Sequence, residues 1–352
     1  MSTDVTADVT TGVSAGAGAG TGAGAPGAAP GARTAASPAT PHTAAPAAPG
    51  NRAPAAPAGH AARELASQPE CWLRAAELAP AYRDVLPAQG ERVALTGCGT
   101  SYYMAKAAAA LRERAGLGET DAFPASEFPV GRHYDRVVAL TRSGTTTEVL
   151  DLLTRLRGTT RTTAVVGDPA TPVADLADEL AVLDFADEVS VVQTRFATTA
   201  LTLLRAHLDL FPEWVVEDAR TALAEPVPAG LVDCGQFTFL GRGWTCGLAE
   251  EAALKMREAS LSWAEAYPAM EYRHGPISVT TEGSATVLLG QAPYGLEDQV
   301  RATGARWAHI TLDPVAGLVV VQRLALAVAA ARGLDPDAPR HLTRSVILEE
   351  EA

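Results

Sequence analysis

The sequence predicts an α/β protein made of two copies of a doubly wound parallel sheet. Three observations predict it. Short apolar runs alternate with helical stretches along most of the chain. Runs such as Arg136-Val-Val-Ala-Leu140 and Thr163-Ala-Val-Val166 are apolar after their first residue and rich in β-branched residues, as buried parallel strands are. A strand, Gly-x-Gly turn and helix pattern also occurs twice. Its first copy is Val93-Ala-Leu-Thr-Gly97-Cys98-Gly99 followed by an alanine-rich helix; its second is Phe237-Thr-Phe-Leu-Gly241-Arg242-Gly243. Aligning Gly97 with Gly241 gives an offset of 144 residues, about half of the chain that remains once a low-complexity start is removed. A second echo sets Val137-Val-Ala-Leu-Thr141 against Thr286-Val-Leu-Leu-Gly290.

The elements follow in order. Residues 1–62 are almost entirely Ala, Gly, Pro, Thr and Ser, with Asp4, Asp8, Arg33 and Arg52 summing to no net charge. Such a segment carries too little large apolar surface to offset backbone entropy and is expected to be a disordered tail. It lacks the basic start and apolar core of a secretory signal. A first helix is expected over 63–77, interrupted at Gln68-Pro69. In the first copy, strands are expected near 93–96, 137–141, 162–166 and 181–184. Helices are expected near 102–114, 147–157, 171–178 and 194–209. The second copy offers a strand from Phe237 and a helix over 247–258. Ligands of such sheets bind beyond the carboxyl ends of the strands, so the glycine-rich turns are the place to look.

Composition narrows the function. The chain has 352 residues and a formal net charge of −13, and only two of its 28 cations are lysines, Lys106 and Lys255. That balance argues against a general affinity for nucleic acid or for an anionic membrane. No uninterrupted apolar run reaches the length of a membrane span; the best stretch, Leu318 to Ala331, is broken by Gln322 and Arg323. The four cysteines, Cys71, Cys98, Cys234 and Cys246, form no CxxC pair. They suggest neither a disulfide framework nor a zinc site, and they fit a reducing cytoplasm.

Three segments can carry chemistry. The turn Gly97-Cys98-Gly99-Thr100-Ser101 offers backbone N–H groups and two hydroxyls at a helix start, which attract anions. The same turn also serves as a plain tight connection without a ligand. The segment Thr141-Arg142-Ser143-Gly144-Thr145-Thr146-Thr147 packs five hydroxyls into seven residues between a strand and a helix. A phosphate dianion wants that many donors, whereas capping a helix needs only one. It is not a P-loop, because no Gly-Lys-Ser/Thr follows. Thirdly, Lys255 and Glu258 share a helix face, and His274 precedes Gly275-Pro276 on a turn. Beside a phosphate cradle they form an acid/base pair able to move protons on a sugar; away from one, Lys255 and Glu258 are an ordinary ion pair.

These residues, taken in order, resemble a known family. Gly97-Cys-Gly-Thr-Ser, Ala125-Ser-Glu-Phe128, Ser143-Gly-Thr-Thr and Glu188-Val-Ser-Val191-Val-Gln193-Thr-Arg are followed by Phe239-Leu-Gly-Arg-Gly243 and the stretch from Glu251 to Glu258. Then come Ala264-Glu-Ala-Tyr267, Glu271-Tyr-Arg-His274-Gly-Pro and Pro339-Arg-His-Leu-Thr-Arg344-Ser-Val. The set is similar to the SIS (sugar isomerase) family, in particular to the isomerase half of glucosamine-6-phosphate synthase and to stand-alone SIS-type deaminases. The resemblance implies two tandem SIS subdomains, each a doubly wound five-stranded parallel sheet flanked by helices, over residues 63–215 and 216–352, the second including a C-terminal tail. It implies a homodimer with a shared site, a phosphosugar substrate, and no cofactor or metal. Carried over residue by residue, Thr100, Ser101, Thr141, Arg142, Ser143 and Thr146 fall on the phosphate cradle and Val191 and Gln193 on the sugar-contacting loop, with Cys98 and Gly99 also expected to bind substrate. Glu258 falls on the proton-shuttling glutamate with Lys255 one turn before it. His274 falls on the ring-opening histidine, which in the family reaches the partner's site.

Three departures bound the expectation. In the synthase a nucleophilic cysteine follows the initiator methionine, whereas Ser2 follows Met1 here, so no glutaminase activity is expected of this chain. Arg344 stands where the synthase has a lysine that can form an imine, which a guanidinium cannot do, but it is expected to bind substrate through an oxyanion or hydroxyl. Thr141 and Gln193 replace serines. The expected activity is an aldose–ketose isomerase/deaminase that converts glucosamine 6-phosphate to fructose 6-phosphate and ammonia, or the reverse. The alternatives are another SIS phosphosugar isomerase, a ketosamine-6-phosphate deglycase and a non-catalytic phosphosugar sensor.

Overall fold

The computed structural model describes residues 59–348. The tail expected over residues 1–62 lies outside the described residues except at its end, where His60 already begins a helix. Two helices open the described chain, α1 (His60–Ala66) and α2 (Gln68–Leu78), with Pro69 in the first turn of α2, where its missing N–H costs nothing. The break expected at Gln68-Pro69 is therefore the junction between them.

The first sheet comprises β1 (Val93–Gly97), β2 (Thr120–Pro124), β3 (Arg136–Thr141), β4 (Arg161–Val166) and β5 (Glu179–Val182). Its order is β2-β1-β3-β4-β5, and every pairing is parallel. The connections carry α3 (Thr100–Arg114), α4 (Thr147–Leu156) and the single turn α5 (Val173–Leu176), and the sheet is followed by α6 (Arg195–His207) and α7 (Trp214–Ala224). The strand order reverses between β1 and β3, so the crevice beyond their carboxyl ends is the topological switch point. The turns Cys98-Gly99 and Arg142-Ser143 leave β1 and β3 at that crevice.

The second sheet holds β6 (Gln236–Gly241), β7 (Trp263–Pro268), β8 (Ser284–Leu289) and β9 (Arg306–Ile310) in the parallel order β7-β6-β8-β9. It thus has four strands among the described residues, where the resemblance implied five. Its helices are α8 (Thr245–Ser260), α9 (Leu296–Ala302) and α10 (Pro314–Ala331). The edge strands β2 and β7 escape the sequence analysis for one reason. Both are half-buried, with Asp121 or Glu265 among their apolar residues, so neither reads as an apolar run.

Period-two alternation sorts the strands' side chains into layers. Val138 and Leu140 of β3 join Phe237, Phe239 and Val287 of the second sheet in one core, filled between the sheets by α2, α3, α6, α8 and α10. Val137 and Ala139 point the other way, onto Val149, Leu152 and Leu153 of α4. Leu240 and Leu288 face Leu296 and Val300 of α9. The two sheets therefore share their central helical layer rather than owning separate cores. Ala105, Ala107 and Ala108 of α3 and Ala249, Ala252 and Ala253 of α8 are buried in that layer. A Cβ on Gly247 would stand 2.5 Å from the Tyr103 carbonyl oxygen, so only glycine admits this approach. At the same contact Lys106 donates to both carboxylate oxygens of Glu250, at 2.6 and 2.7 Å, across 144 residues of sequence.

By length and apolar composition α10 passes for a membrane span, which the sequence analysis did not expect. Most of it is buried against α8 and α7 in the shared layer. Its start is fixed by Asp313, which accepts from the Val315 N–H at 3.0 Å and takes two hydrogen bonds of 2.9 Å from Arg205.

Candidate active site

The glycine turn after β1 is forced by packing. A Cβ on Gly97 would lie 2.9 Å from the Leu140 carbonyl oxygen, and Gly99 adopts φ +52, left-handed space that suits glycine. The turn delivers Thr100 and Ser101, both buried, into the first turn of α3. Cys98 between the glycines is half-buried. Burial first, and then the Glu148 carboxylate, push its thiol up to about 11, so it is a proton-bearing thiol at neutral pH.

The hydroxyl-rich segment after β3 lies beside this turn. Thr141, Arg142 and Ser143 are each at most 3% exposed. Gly144 has φ +62, and a Cβ there would collide with Thr171 Oγ1. Ser143, Thr145 and Thr146 turn their hydroxyls to the Oγ of Ser345, which comes from the C-terminal segment. Arg142 ties three segments together. It donates from Nη1 to the Ser190 carbonyl at 2.7 Å and from Nη2 to the Arg344 carbonyl at 2.6 Å. Burial lowers its pKa, while Glu188 opposes the shift.

The loop between β5 and α6 is held by two buried carboxylates. Glu188 accepts from the Thr194 N–H and hydroxyl and from the Arg195 N–H, at 2.6, 2.7 and 2.9 Å, and from the Phe196 N–H. This caps α6, and the complete burial of Glu188 still raises its pKa. Glu64 of α1 accepts from the Val189 N–H at 2.6 Å and from Ser190. Between these anchors Val191 is half-buried, and Gln193 keeps a buried Oε1 with no partner.

The acid/base cluster sits on α8. Glu251, Lys255 and Glu258 are spaced four and three residues apart, which stacks them on one face. Lys255 is buried. Its Nζ donates to Glu258 Oε2 at 2.5 Å and to Thr100 Oγ1 at 3.0 Å, and lies 3.4 Å from Glu251 Oε1. Burial works against the ammonium charge, but Glu251 and Glu258 overcome it and hold the Lys255 pKa above its ordinary value. Glu251 is 1% exposed and neither of its oxygens accepts a hydrogen bond. Burial raises its pKa to about 7, with Lys255 opposing and Glu258 reinforcing the shift. Glu258 retains 18% side-chain exposure, so it is the member of the cluster open to a ligand.

The structure thus joins Lys255 and Glu258 to Thr100, and Ser143 and Thr146 to the C-terminal segment. Two expected residues stand apart. His274 is exposed in a short 3₁₀ turn (Glu271–His274) after β7, and its imidazole makes no hydrogen bond or ion pair among the described residues. The guanidinium of Arg344 lies on Asp187, at 2.6 and 2.7 Å, and on the Glu188 carbonyl at 3.1 Å. Sequence reasoning quoted Glu251 and Ser345 within its motifs but gave neither a role. Glu251 carried a usable signal, since it lies one helical turn before Lys255; nothing local to Ser345 marked its contact with the hydroxyl-rich segment. Buried polar atoms with no hydrogen-bond partner gather here: Thr141 Oγ1, Arg142 Nε, Glu148 Oε2, Gln193 Oε1 and both Glu251 oxygens, of which Oε1 is ion-paired with Lys255. Natural proteins leave few such atoms, and a site that receives a polar ligand accounts for a cluster of them.

No protein-family model matches the chain. It is 27% identical to the glutamine–fructose-6-phosphate aminotransferase (isomerizing) of Methanothermobacter thermautotrophicus, over 74% of this chain and 52% of that protein. It is 29% identical to the enzyme of the same name from Symbiobacterium thermophilum, over 73% and 52%. The chain spans about half the length of these curated relatives. Among solved structures it resembles the glucosamine-6-phosphate deaminase of Thermotoga maritima, with TM-score 0.69 and 24% identity over 82% of this chain and 100% of that one. The C-terminal domain of the Francisella tularensis glucosamine-fructose-6-phosphate aminotransferase gives TM-score 0.65 and 20% identity, over 80% and 98%. The tagatose-6-phosphate ketose/aldose isomerase of Escherichia coli gives 0.67 and 19%, over 83% and 98%. These structures share the fold of two parallel sheets flanked by helices, and in sequence the chain resembles the isomerase (SIS) domain of glutamine–fructose-6-phosphate aminotransferase.

Proposed function

We propose that the protein is an aldose–ketose isomerase/deaminase that converts glucosamine 6-phosphate and water to fructose 6-phosphate and ammonia, or runs the reverse. The observation that carries this reading is the bridge Glu258–Lys255–Thr100, which sets a carboxylate and an ammonium at the mouth of the β1 turn. The hydroxyls of Ser143 and Thr146 at the start of α4, with Thr141, Thr100 and Ser101, hold the phosphate. In the open-chain amino sugar Glu258 takes the proton from C2, leaving an enolamine, and returns it to C1. Water then adds to the C2 imine and ammonia departs. One carboxylate serves both carbons because they are neighbours on one face of the chain. The Lys255 ammonium stabilises the charge that develops on the C1 oxygen during enolisation. His274, exposed on its own chain, opens the ring in a partner's site, so the active form is a homodimer. The two halves are tandem copies of one unit, and the Lys106–Glu250 contact, 144 residues apart, is consistent with that duplication. A cytoplasmic location completes the proposal.

A coupled assay for ammonia over a panel of hexosamine and ketosamine 6-phosphates tests it. Release from glucosamine 6-phosphate supports the reading. Turnover of another phosphosugar without ammonia supports an isomerase in its place, and stabilisation by phosphosugars without product supports a sensor.

A further inference from the structure

The C-terminal segment lies across the groups assigned above to the phosphate. The Ser345 Oγ is ringed by three hydroxyls: Ser143 Oγ at 3.1 Å, Thr145 Oγ1 at 3.0 Å and Thr146 Oγ1 at 3.3 Å. Ser143 and Thr145 donate to it. The Thr147 N–H, in the first turn of α4, donates to the Val346 carbonyl at 3.1 Å. The Leu348 N–H in turn donates to Thr147 Oγ1 at 2.9 Å. Arg344, immediately before Ser345, is held through its carbonyl by Arg142 and through its guanidinium by Asp187. Two buried atoms of the segment after β3, Thr141 Oγ1 and Arg142 Nε, have no hydrogen-bond partner.

One oxygen accepting from a ring of hydroxyls at a helix start has the surroundings of a phosphate oxygen. We infer that Ser345 is an internal competitor for the phosphate cradle, which an incoming phosphate ester must displace. The inference rests on the proposed reading of Ser143 and Thr146 as phosphate ligands, and it adds a residue that lowers affinity rather than raising it. The physics favours displacement by a dianion and by little else. Hydrogen bonds to a charged oxygen are about twice as strong as those to a neutral one, and the helix start adds its own attraction for negative charge. An uncharged sugar hydroxyl offers the ring nothing that Ser345 does not already offer. It also competes against a tethered group whose effective concentration is high.

The test uses the full chain and measures binding of fructose 6-phosphate by titration calorimetry. Removing one competing hydroxyl by Ser345→Ala tightens binding about three- to tenfold, the range that one neutral hydrogen bond implies. Ser345→Asp, which puts a carboxylate into the ring, weakens it. In the wild type, amide exchange at Leu348 rises when fructose 6-phosphate binds and stays unchanged with unphosphorylated fructose. Unchanged or weaker binding by Ser345→Ala, or slower exchange at Leu348 in the complex, overturns the inference and leaves the cradle in place. Failure of the wild type and every variant to bind fructose 6-phosphate overturns both this inference and the reading of the cradle.

Discussion

The Lys255 ammonium donates to the Thr100 hydroxyl at 3.0 Å, fastening α8 of the second sheet to the first turn of α3 behind the first. One hydrogen bond thus joins the carboxylate cluster to the glycine turn beyond β1. Glu251 and Glu258 stand on either side of the same ammonium. Neither half of the chain holds this arrangement alone.

Because Lys255 is buried between two carboxylates, its removal leaves negative charge without compensation. Lys255→Met is expected to cost about 3–5 kcal/mol in urea unfolding, the range for breaking a buried pair. Adding Glu251→Gln to that variant is expected to restore part of the loss. A double variant no more stable than Lys255→Met would show that Glu251 carries no charge beside it.

Glu251 gives stability a pH dependence of definite sign. Its pKa in the folded protein is about 7 against an ordinary 4.5, so between these values the folded state keeps a proton that the unfolded state has lost. Its contribution therefore falls as pH rises through that window and levels off above it. Urea midpoints measured from about pH 5 to about pH 8 should show a steeper decline for the wild type than for Glu251→Gln. Parallel curves would contradict the assignment.

The close crossing of α3 and α8 makes Gly247 sensitive. In Gly247→Ala the new methyl meets the Tyr103 carbonyl and the backbone nitrogen of Ala107, at 2.5 and 3.0 Å, and the helices must separate. A loss of about 1–3 kcal/mol is expected from overpacking. Turnover should fall too, since Thr100 and Lys255 ride on the two helices. Calorimetric melting together with a kinetic assay checks both effects.

Cys98 sits in the turn that leads to Thr100, yet burial and the Glu148 carboxylate push its thiol up to about 11, so the thiolate is scarce at neutral pH. Iodoacetamide should label it far more slowly than a free cysteine, read by mass spectrometry. Rapid labelling would show that the turn is more open than described.

Much of the fold was legible because its signals are local. The runs at β1, β3 and β4 have apolar centres without alternation, since parallel strands covered on both faces need no polar side, and Gly97 and Gly241 mark sharp turns. The edge strands β2 and β7 were not legible as strands, because half-buried segments containing Asp121 or Glu265 lack that pattern. In the site, the hydroxyl segment and the Lys255–Glu258 pair announced themselves by density and spacing. The placement of Arg344 on Asp187 and of Ser345 among the hydroxyls joins residues about 150 to 200 positions apart. No periodicity or local composition records a contact of that span, so only the folded chain shows it.

The central claim is that Glu258 moves a proton on a sugar held by the β1 and β3 turns. Its most direct test compares wild type and Glu258→Gln on glucosamine 6-phosphate, measuring fructose 6-phosphate and ammonia alongside ligand binding. The account predicts equimolar products from the wild type. For the variant it predicts a rate lower by about 10²–10⁴, the usual contribution of a general base, with binding retained. Near-normal turnover by Glu258→Gln, or a wild type that binds the phosphosugar and forms no product, would contradict it.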